Sequence, residues 1–332
     1  MSEIRCVRVP GRVNLIGEHI DYHGLPVLPI AITRSVHVEF RKRDDRLIRA
    51  SSEPYGVREF EWTEELLPVA AGDWENYLRA AARTVAQQWG IRRGVDATIE
   101  SDLPAAAGLS SSTALLVAFV LGLLDERPSF EELMHVLPEG EHFVGTRGGA
   151  MDHAAVLASR SGYASLISFR PISVRHVPIP EGWGFLAAHS MVISDKSGAA
   201  RERYNAARRG SELHVITESQ RVADAVAAME QNDAETFGRV LVESHASLRD
   251  RLGVSCPELD RLVEAALESG ALGARLTGAG FGGCAVVFAM KRDLPAVRER
   301  LIRSYYAGQA GFDAARHLIE AEPSSGVLYQ ET

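Results

Sequence analysis

The sequence lacks the markers of several protein classes. Its three cysteines, Cys6, Cys256 and Cys284, are odd in number and far apart, which argues against a disulfide framework or a zinc site and favours reduced thiols in the cytosol. No apolar run reaches membrane-spanning length, and the first residues contain no signal-peptide core. A net charge of -8 gives no basic surface for nucleic acid. We therefore expect a cytoplasmic protein that binds neither membranes nor nucleic acid.

The composition is that of a globular protein large enough for two domains. The chain has 332 residues, 46% of them hydrophobic and 24% charged, without internal repeats or low-complexity segments. Antiparallel β patterns mix with helices and do not follow the regular βαβ order of a doubly wound sheet, which predicts an α+β fold. The Pro- and Gly-rich residues 178–184 predict a boundary between an N-terminal domain, residues 1–180, and a C-terminal domain, residues 181–332.

Alternation and apolar periodicity predict the individual elements. Strands are expected over residues 7–16, 27–32, 36–40, 47–50, 57–62, 95–99, 163–169, 174–179, 185–193 and 316–319. Helices are expected over residues 73–90, 113–124, 129–137 and 294–304, and over most of residues 201–269.

The densest group of polar residues lies within residues 10–32, where Arg12, Asn14, Glu18, His19 and Asp21 are interleaved with apolar residues. Unpaired buried charges are costly, so charges in such a stretch need partners or a ligand. A surface acidic cluster is the plainer interpretation, but the apolar flanks disfavour it. The stretch therefore predicts the wall of a partly buried pocket that holds a polar ligand.

Residues 103–114, LPAAAGLSSSTA, predict a phosphate-binding loop. Small residues let the backbone approach a ligand closely, and the start of the following helix offers N–H groups and a positive dipole to a phosphate. A serine N-cap is the plainer interpretation. However, a cap needs one hydroxyl, whereas Ser110, Ser111, Ser112 and Thr113 provide several. The sequence contains no GxxxxGK[S/T] motif, which excludes a P-loop.

Two further glycine-rich segments could each form part of a functional site, and we retain only the first as a candidate. Residues 141–154, EHFVGTRGGAMDHA, allow a tight turn that presents Asp152 ahead of a helix, either as an N-cap or as a reactive carboxylate. Residues 275–288, RLTGAGFGGCAVVF, match the dinucleotide pattern G-x-G-x-x-G. That pattern should open a helix, whereas a strand pattern follows here, so we reject an NAD-dependent dehydrogenase.

Three of these segments resemble the three signatures of the GHMP small-molecule kinases, in the family order. GRVNLIGEH, followed by DY and VLPIAI, closely resembles the signature of galactokinases. PAAAGLSSSTA and GAGFGG resemble the second and third GHMP signatures. The resemblance implies a ribosomal-protein-S5-like N-terminal domain and a ferredoxin-like C-terminal domain, with the site between them. It also implies ATP and Mg²⁺ as cofactors, the phosphorylation of α-D-galactose at C1, and a monomer or weak homo-oligomer.

The resemblance also implies roles for individual residues. It makes Asp152 the catalytic base with Arg12 as its partner, and Glu141 and Ser112 the metal ligands. The sugar-binding residues would be Glu18, His19, Asp21 and Tyr204. The ATP-binding residues would be Pro104, Gly108, Leu109, Ser110, Ser111, Ser112, Gly278 and Gly280. This chain departs from the family pattern in a loop one residue shorter before Asp152, in Arg147 within that loop, and in His153 where a glutamine is usual.

Two other functions remain open at this point. A sibling kinase could act on L-arabinose, N-acetylgalactosamine or galacturonate, although Glu18 favours a neutral sugar because a second carboxylate would be repelled. A galactose sensor without catalysis would keep the fold, but the serine loop and Asp152 are both intact, which disfavours it.

Overall fold

The computed structural model describes residues 4–104, 107–145, 149–193 and 211–331. Tyr204 and Arg147 lie outside these described residues. The strands are β1 (Ile4–Asn14), β2 (Pro29–Lys42), β3 (Leu47–Ser52), β4 (Gly56–Glu61), β5 (Val95–Ser101), β6 (Tyr163–Phe169), β7 (Ile172–Pro178), β8 (Trp183–His189), β9 (Gly273–Leu276), β10 (Cys284–Met290), β11 (Leu318–Glu320), β12 (Pro323–Ser324) and β13 (Leu328–Glu331).

Helices and strands occur largely in separate runs along the chain, as is typical of an α+β fold. They are α1 (Glu75–Trp89), α2 (Ser111–Leu123), α3 (Phe130–Phe143), α4 (Met151–Ala158), α5 (Glu212–Glu230), α6 (Ala234–Ser247), α7 (Pro257–Glu268), α8 (Leu294–Leu301) and the short α9 (Ala314–His317). In the part of the chain that the structure describes, no helix combines the length and apolar character that a membrane crossing requires.

A seven-stranded sheet forms the N-terminal half, with the strand order β13-β1-β2-β5-β3-β4 and with β12 paired to β2. Strands β1 and β2 run antiparallel, and their register shifts between Pro10 and Arg12. Helix α2 packs on both strands and on α1. It is apolar on nearly all sides, as expected of a helix enclosed by other elements. This arrangement brings the end of β1 and the start of α2 together at one edge.

A four-stranded sheet of order β11-β8-β10-β9 forms the C-terminal half and packs against α6, α7 and α8. The chain does not end there, because β12 and β13 return to the first sheet. One hydrophobic cluster includes Val222, Phe237 and Phe288 of the C-terminal half together with the core of the first sheet. The halves therefore share a core.

The structure corrects three predicted elements. The strands expected over residues 27–32 and 36–40 are the single strand β2, because the polar residues between them keep an extended backbone. The helix expected to end at residue 137 continues through Pro138 to Phe143, which puts Glu141 on α3 and not in a loop. The first two residues of the strand expected over residues 316–319 belong to α9, and β11 starts only at Leu318.

Candidate active site

Arg12 and Asp152 form the centre of the site. Arg12 donates from Nε and Nη2 to Asp152 Oδ1, at 2.8 and 2.7 Å, and from Nη1 to the Gly108 carbonyl at 2.6 Å. Burial alone would lower the pKa of Arg12, but the negative charges of Asp152 and Glu18 outweigh burial and raise this pKa. The guanidinium therefore stays charged, and it favours the ionised form of Asp152.

Ser110 connects the phosphate loop to this pair. Its hydroxyl donates to Asp152 Oδ2 at 2.6 Å, and the residue lies at the N-cap of α2 without capping it. Its φ of 62° is in the left-handed region, which is uncommon for a residue with a side chain. The N-cap interpretation of this serine is therefore wrong, because the hydroxyl faces the site. Asp152 is likewise no N-cap, since α4 starts at Met151.

The phosphate loop packs against the third glycine segment. A Cβ atom on Gly278 would lie 3.2 Å from the Gly108 carbonyl oxygen, and both glycines have positive φ. Only glycine meets both conditions easily. The structure thus brings together Gly108, Leu109, Ser110 and Gly278 of the predicted ATP-binding residues. Ser111 and Ser112 occupy the first turn of α2 and are half-buried, as is Pro104 near the beginning of the loop.

Glu18 connects the polar loop after β1 to the C-terminal half. Its Oε1 accepts from the Gly278 N–H at 2.6 Å and from the Thr277 hydroxyl at 3.3 Å, and it lies 3.7 Å from Arg275 Nη2. Burial raises the pKa of Glu18, although Arg275, Arg12 and the Gly278 N–H act in the opposite direction. The Glu18 side chain therefore lines the cavity and also links the two halves through its hydrogen bonds.

His19 and Asp21 complete the wall. His19 Nε2 lies 3.1 Å from the Ala279 carbonyl, and Nδ1 lies 2.9 Å from the Tyr22 hydroxyl. A carbonyl only accepts, so Nε2 carries the proton. Asp21 Oδ2 lies 3.4 Å from the Met151 N–H, and a Cβ on Gly149 would collide with this carboxylate. Burial and the charge of Asp152 raise the pKa of Asp21 to about 6.

The backbone of residues 14–18 is held by side chains of the C-terminal half. Gly17 N–H donates to Glu218 Oε1 at 3.0 Å, His214 Nε2 donates to the Glu18 carbonyl at 3.1 Å, and Arg275 Nη1 donates to the carbonyls of Asn14 and Leu15 at 3.2 and 2.9 Å. Arg275 and Glu218 are fully buried. Arg275 and Arg221 lower the pKa of Glu218 against the effect of burial, so its charge persists.

Oxygen donors suited to Mg²⁺ lie beside the serine loop. Glu141 faces the same cavity as Asp152, and its Oε1 accepts from the Thr113 hydroxyl at 2.5 Å. Half-buried hydroxyls of Ser111 and Ser112 lie on the same first turn of α2 as Thr113. Mg²⁺ prefers oxygen ligands and usually retains several waters, so a carboxylate and a hydroxyl beside a phosphate loop fit this ion.

One cavity brings together the predicted catalytic pair, three of the predicted sugar-binding residues, Glu141 and Gly278, whereas the other predicted ATP-binding residues do not line it. It is lined by Arg12, Glu18, His19, Asp21, Tyr22, Glu141, Gly149, Met151, Asp152, Gly278 and Ala279. Sequence reasoning did not identify Glu218, His214 or Thr277, which hold the wall from behind. Arg275 lies in the segment that was singled out for its glycines. The only indication of its role in the sequence is a charged residue next to apolar residues. Glu218 carried no signal, because its helix has no clear polar or apolar face at that position.

Comparison with known families gives matches over most of the chain. The family described as "GHMP kinases N terminal domain" matches residues 76–160, and the family described as "GHMP kinases C terminal" matches residues 225–308. The description "Galactokinase galactose-binding signature" matches residues 2–42. The last range contains Arg12, Glu18, His19 and Asp21.

Individual relatives and solved structures agree with these matches. The chain is 34% identical to a galactokinase of Streptomyces coelicolor, over 96% of this chain and 92% of that protein. It is 33% identical to a galactokinase of Roseiflexus sp., over 90% and 87%. The structure of Lactococcus lactis galactokinase complexed with galactose superposes with a TM-score of 0.87 at 27% identity, over 98% of this chain and 95% of that one. A mevalonate kinase of Methanococcus jannaschii shares the fold, with a TM-score of 0.71 at 18% identity.

Proposed function

The chain belongs to the galactokinase family of the GHMP kinases, and we propose from its site how it transfers the γ-phosphate of ATP to the C1 hydroxyl of α-D-galactose. The observation that carries the mechanism is the contact of Asp152 with both Arg12 and Ser110. It joins the polar wall formed by the galactose-binding signature to the loop that faces the phosphates.

Asp152 is the general base. A sugar hydroxyl is a weak nucleophile, and a carboxylate within hydrogen-bond reach accepts its proton as the bond to phosphorus forms. In this reaction the C1 oxygen bonds to the γ-phosphorus, the bond from that phosphorus to ADP breaks, and the proton moves to Asp152. Arg12 keeps the base ionised before the reaction and offsets negative charge as it develops.

Glu18, His19 and Asp21 bind the sugar. Each lines the cavity. The two carboxylates accept hydrogen bonds, and the imidazole of His19 can take part in hydrogen bonds through both ring nitrogens. Tyr204, which lies outside the described residues, remains a predicted fourth contact. These groups orient galactose so that its C1 hydroxyl points to Asp152, and correct orientation is a large part of the catalytic effect.

The two glycine loops and the start of α2 bind ATP. Backbone N–H groups at the beginning of α2 face the phosphates, and Pro104, Gly108, Leu109, Ser110, Ser111, Ser112, Gly278 and Gly280 line their path. Glu141 and Ser112 would hold Mg²⁺, with Ser111 as the neighbouring hydroxyl. The ion would supply positive charge that offsets the negative charge of the phosphates during transfer. The predicted division at residues 178–184 would then place this site between two domains.

The decisive experiment measures ADP release with Mg-ATP and a sugar panel of galactose, glucose, N-acetylgalactosamine, L-arabinose and galacturonate. We expect turnover with galactose, and none above background with galacturonate, because its carboxylate would approach Glu18. Faster turnover with another sugar would contradict the substrate while keeping the base. ATP binding without turnover on any sugar would contradict the catalytic assignment.

A further inference from the structure

His153 has a buried imidazole for which the described part of the chain provides no hydrogen bond. It follows Asp152 in the first turn of α4, its side chain has no solvent exposure, and neither ring nitrogen has a hydrogen-bond partner among the described residues. Leaving a buried polar group unsatisfied destabilises the folded state. An apolar residue of similar size would avoid this cost, so the imidazole needs a physical reason.

A carboxylate oxygen of the candidate metal ligand lies close to this ring. His153 Nε2 lies 3.7 Å from Glu141 Oε1, and the Thr113 hydroxyl donates to the same oxygen at 2.5 Å. A separation of 3.7 Å is too long for a hydrogen bond, yet a small rotation of the carboxylate would close it. Two groups thus converge on Oε1, which leaves Oε2 as the oxygen available to a ligand in the cavity.

We propose that His153 is a positioning residue, whose Nε2–H donates to Glu141 Oε1 when the other carboxylate oxygen binds Mg²⁺. The inference rests on the proposed function, which assigns Glu141 to the metal. The imidazole and the Thr113 hydroxyl fix the carboxylate from behind, as groups outside a metal's own ligands commonly do. This role would give the buried ring nitrogen the hydrogen-bond partner that a buried polar atom needs.

The chemistry of the donor explains why a histidine fits here. A neutral imidazole donates through one nitrogen, and the amide of a glutamine, which the resembling signature carries at this position, also has an N–H to donate. A leucine fills similar volume without any donor. Glutamine should therefore replace His153 in this role, whereas leucine should not. A residue that merely fills space would show the opposite order, because Leu is the better buried residue.

The test measures Mn²⁺ binding with the non-hydrolysable ATP analogue AMP-PNP, by the electron paramagnetic resonance signal of free Mn²⁺. The variants are His153→Gln and His153→Leu. Val156→Ala is the matched control, since Val156 is fully buried on the same helix and its truncation costs packing without removing a donor. We expect His153→Leu to weaken Mn²⁺ binding about 10- to 100-fold. Binding by His153→Gln and by Val156→Ala should stay near the wild-type value.

The outcomes separate this inference from the function on which it rests. Wild-type Mn²⁺ affinity in a folded His153→Leu protein would overturn the inference, and so would an equal loss in His153→Gln, because the amide keeps a donor. Glu141→Gln supplies a separate control on the metal ligand itself. If Glu141→Gln bound Mn²⁺ normally, the assignment of Glu141 and this inference would both fail, while turnover on galactose would remain an independent result.

Discussion

At the scale of single residues, the site is a set of buried charges, and some of them lie beside a residue of opposite charge. Arg12 touches Asp152, and Glu18 lies near Arg275. Removing one member of such a buried pair leaves the other uncompensated, which is more costly than the pair is stabilising. Substitutions that keep shape and remove charge are therefore the informative ones at these positions.

Asp152→Asn tests the general base. The amide keeps the shape of the carboxylate but cannot accept the sugar proton, so we expect kcat to fall by about 10²–10⁴-fold. ATP affinity, measured by calorimetry, should change little, since the assigned role concerns the sugar hydroxyl. The control is Asp96→Asn, which alters an aspartate paired with Arg43 on the sheet at 2.8 Å. A near-normal kcat in Asp152→Asn would remove this residue from its role.

The raised pKa of Asp21 predicts a pH dependence. This carboxyl group has a pKa of about 6 in the folded protein, against 3.8 for a free aspartate. Only the ionised form is purely an acceptor for sugar hydroxyls. We expect kcat/KM for galactose to fall below about pH 6, with the slope of a single proton. Asp21→Asn should flatten that limb of the profile and lower kcat/KM throughout.

The same shift has a consequence for stability, with a defined sign. Folded Asp21 binds its proton more tightly than unfolded Asp21, so its contribution is favourable at low pH and is lost as pH rises from about 4 to about 6. Comparison of urea unfolding in wild type and Asp21→Asn over this range measures the effect. An identical pH dependence in both proteins would contradict the shifted pKa.

At the scale of elements, α5 holds the loop that we propose to bind the sugar, because Glu218 accepts a hydrogen bond from Gly17. Without this side chain, the buried Gly17 N–H loses its acceptor, at a cost of about 1–3 kcal/mol. Because Gly17 precedes Glu18, we expect Glu218→Ala to raise the KM for galactose about tenfold and to leave the KM for ATP near its normal value. Glu218→Gln keeps an acceptor oxygen and should have a smaller effect.

The chain offers a matched control on the same helix. Glu230 also pairs with an arginine, Arg175, but in an exposed position at 2.6 Å, where ion pairs contribute little. Glu230→Ala should leave both KM values unchanged. A parallel rise of the KM for ATP and for galactose in Glu218→Ala would indicate general loosening and would contradict a specific effect on the loop.

The elements also show what a sequence can and cannot predict. Residues within one segment, such as Arg12 to Asp21, were identified because charges interrupt an apolar pattern. Helix α3 was predicted too short because Pro138 usually ends a helix, yet the helix continues to Phe143 and carries Glu141. Ser110 is a plausible cap in sequence, and only the fold brings Asp152 within 2.6 Å of its hydroxyl. Pairs such as Gly17 and Glu218 depend on tertiary packing, which local patterns do not encode.

At the scale of the whole molecule, the two halves are connected more closely than a two-domain division implies. Strands β12 and β13 follow the C-terminal sheet in the chain and pair with the N-terminal sheet. Arg275, Thr277 and Glu218 bond to residues 14–18. Opening the cleft fully would break these hydrogen bonds and expose the apolar core that the halves share, which is costly. We infer that the active site is held in place by the same contacts that join the halves.

This connection predicts a single cooperative unfolding transition, although proteins with two domains often unfold in steps. Three of the four tryptophans, Trp62, Trp74 and Trp89, lie in the N-terminal half, and the fourth is Trp183. In a Trp183→Phe variant, fluorescence therefore reports the N-terminal half, while far-UV circular dichroism reports helices of both halves. We expect the two signals to give the same urea midpoint. We also expect galactose at about 100 times its Kd to raise the unfolding free energy by about 2.7 kcal/mol. An earlier midpoint for either signal would mean that one half unfolds alone, because the buried contacts between Glu218, Arg275 and residues 14–18 would then be too weak to couple the halves.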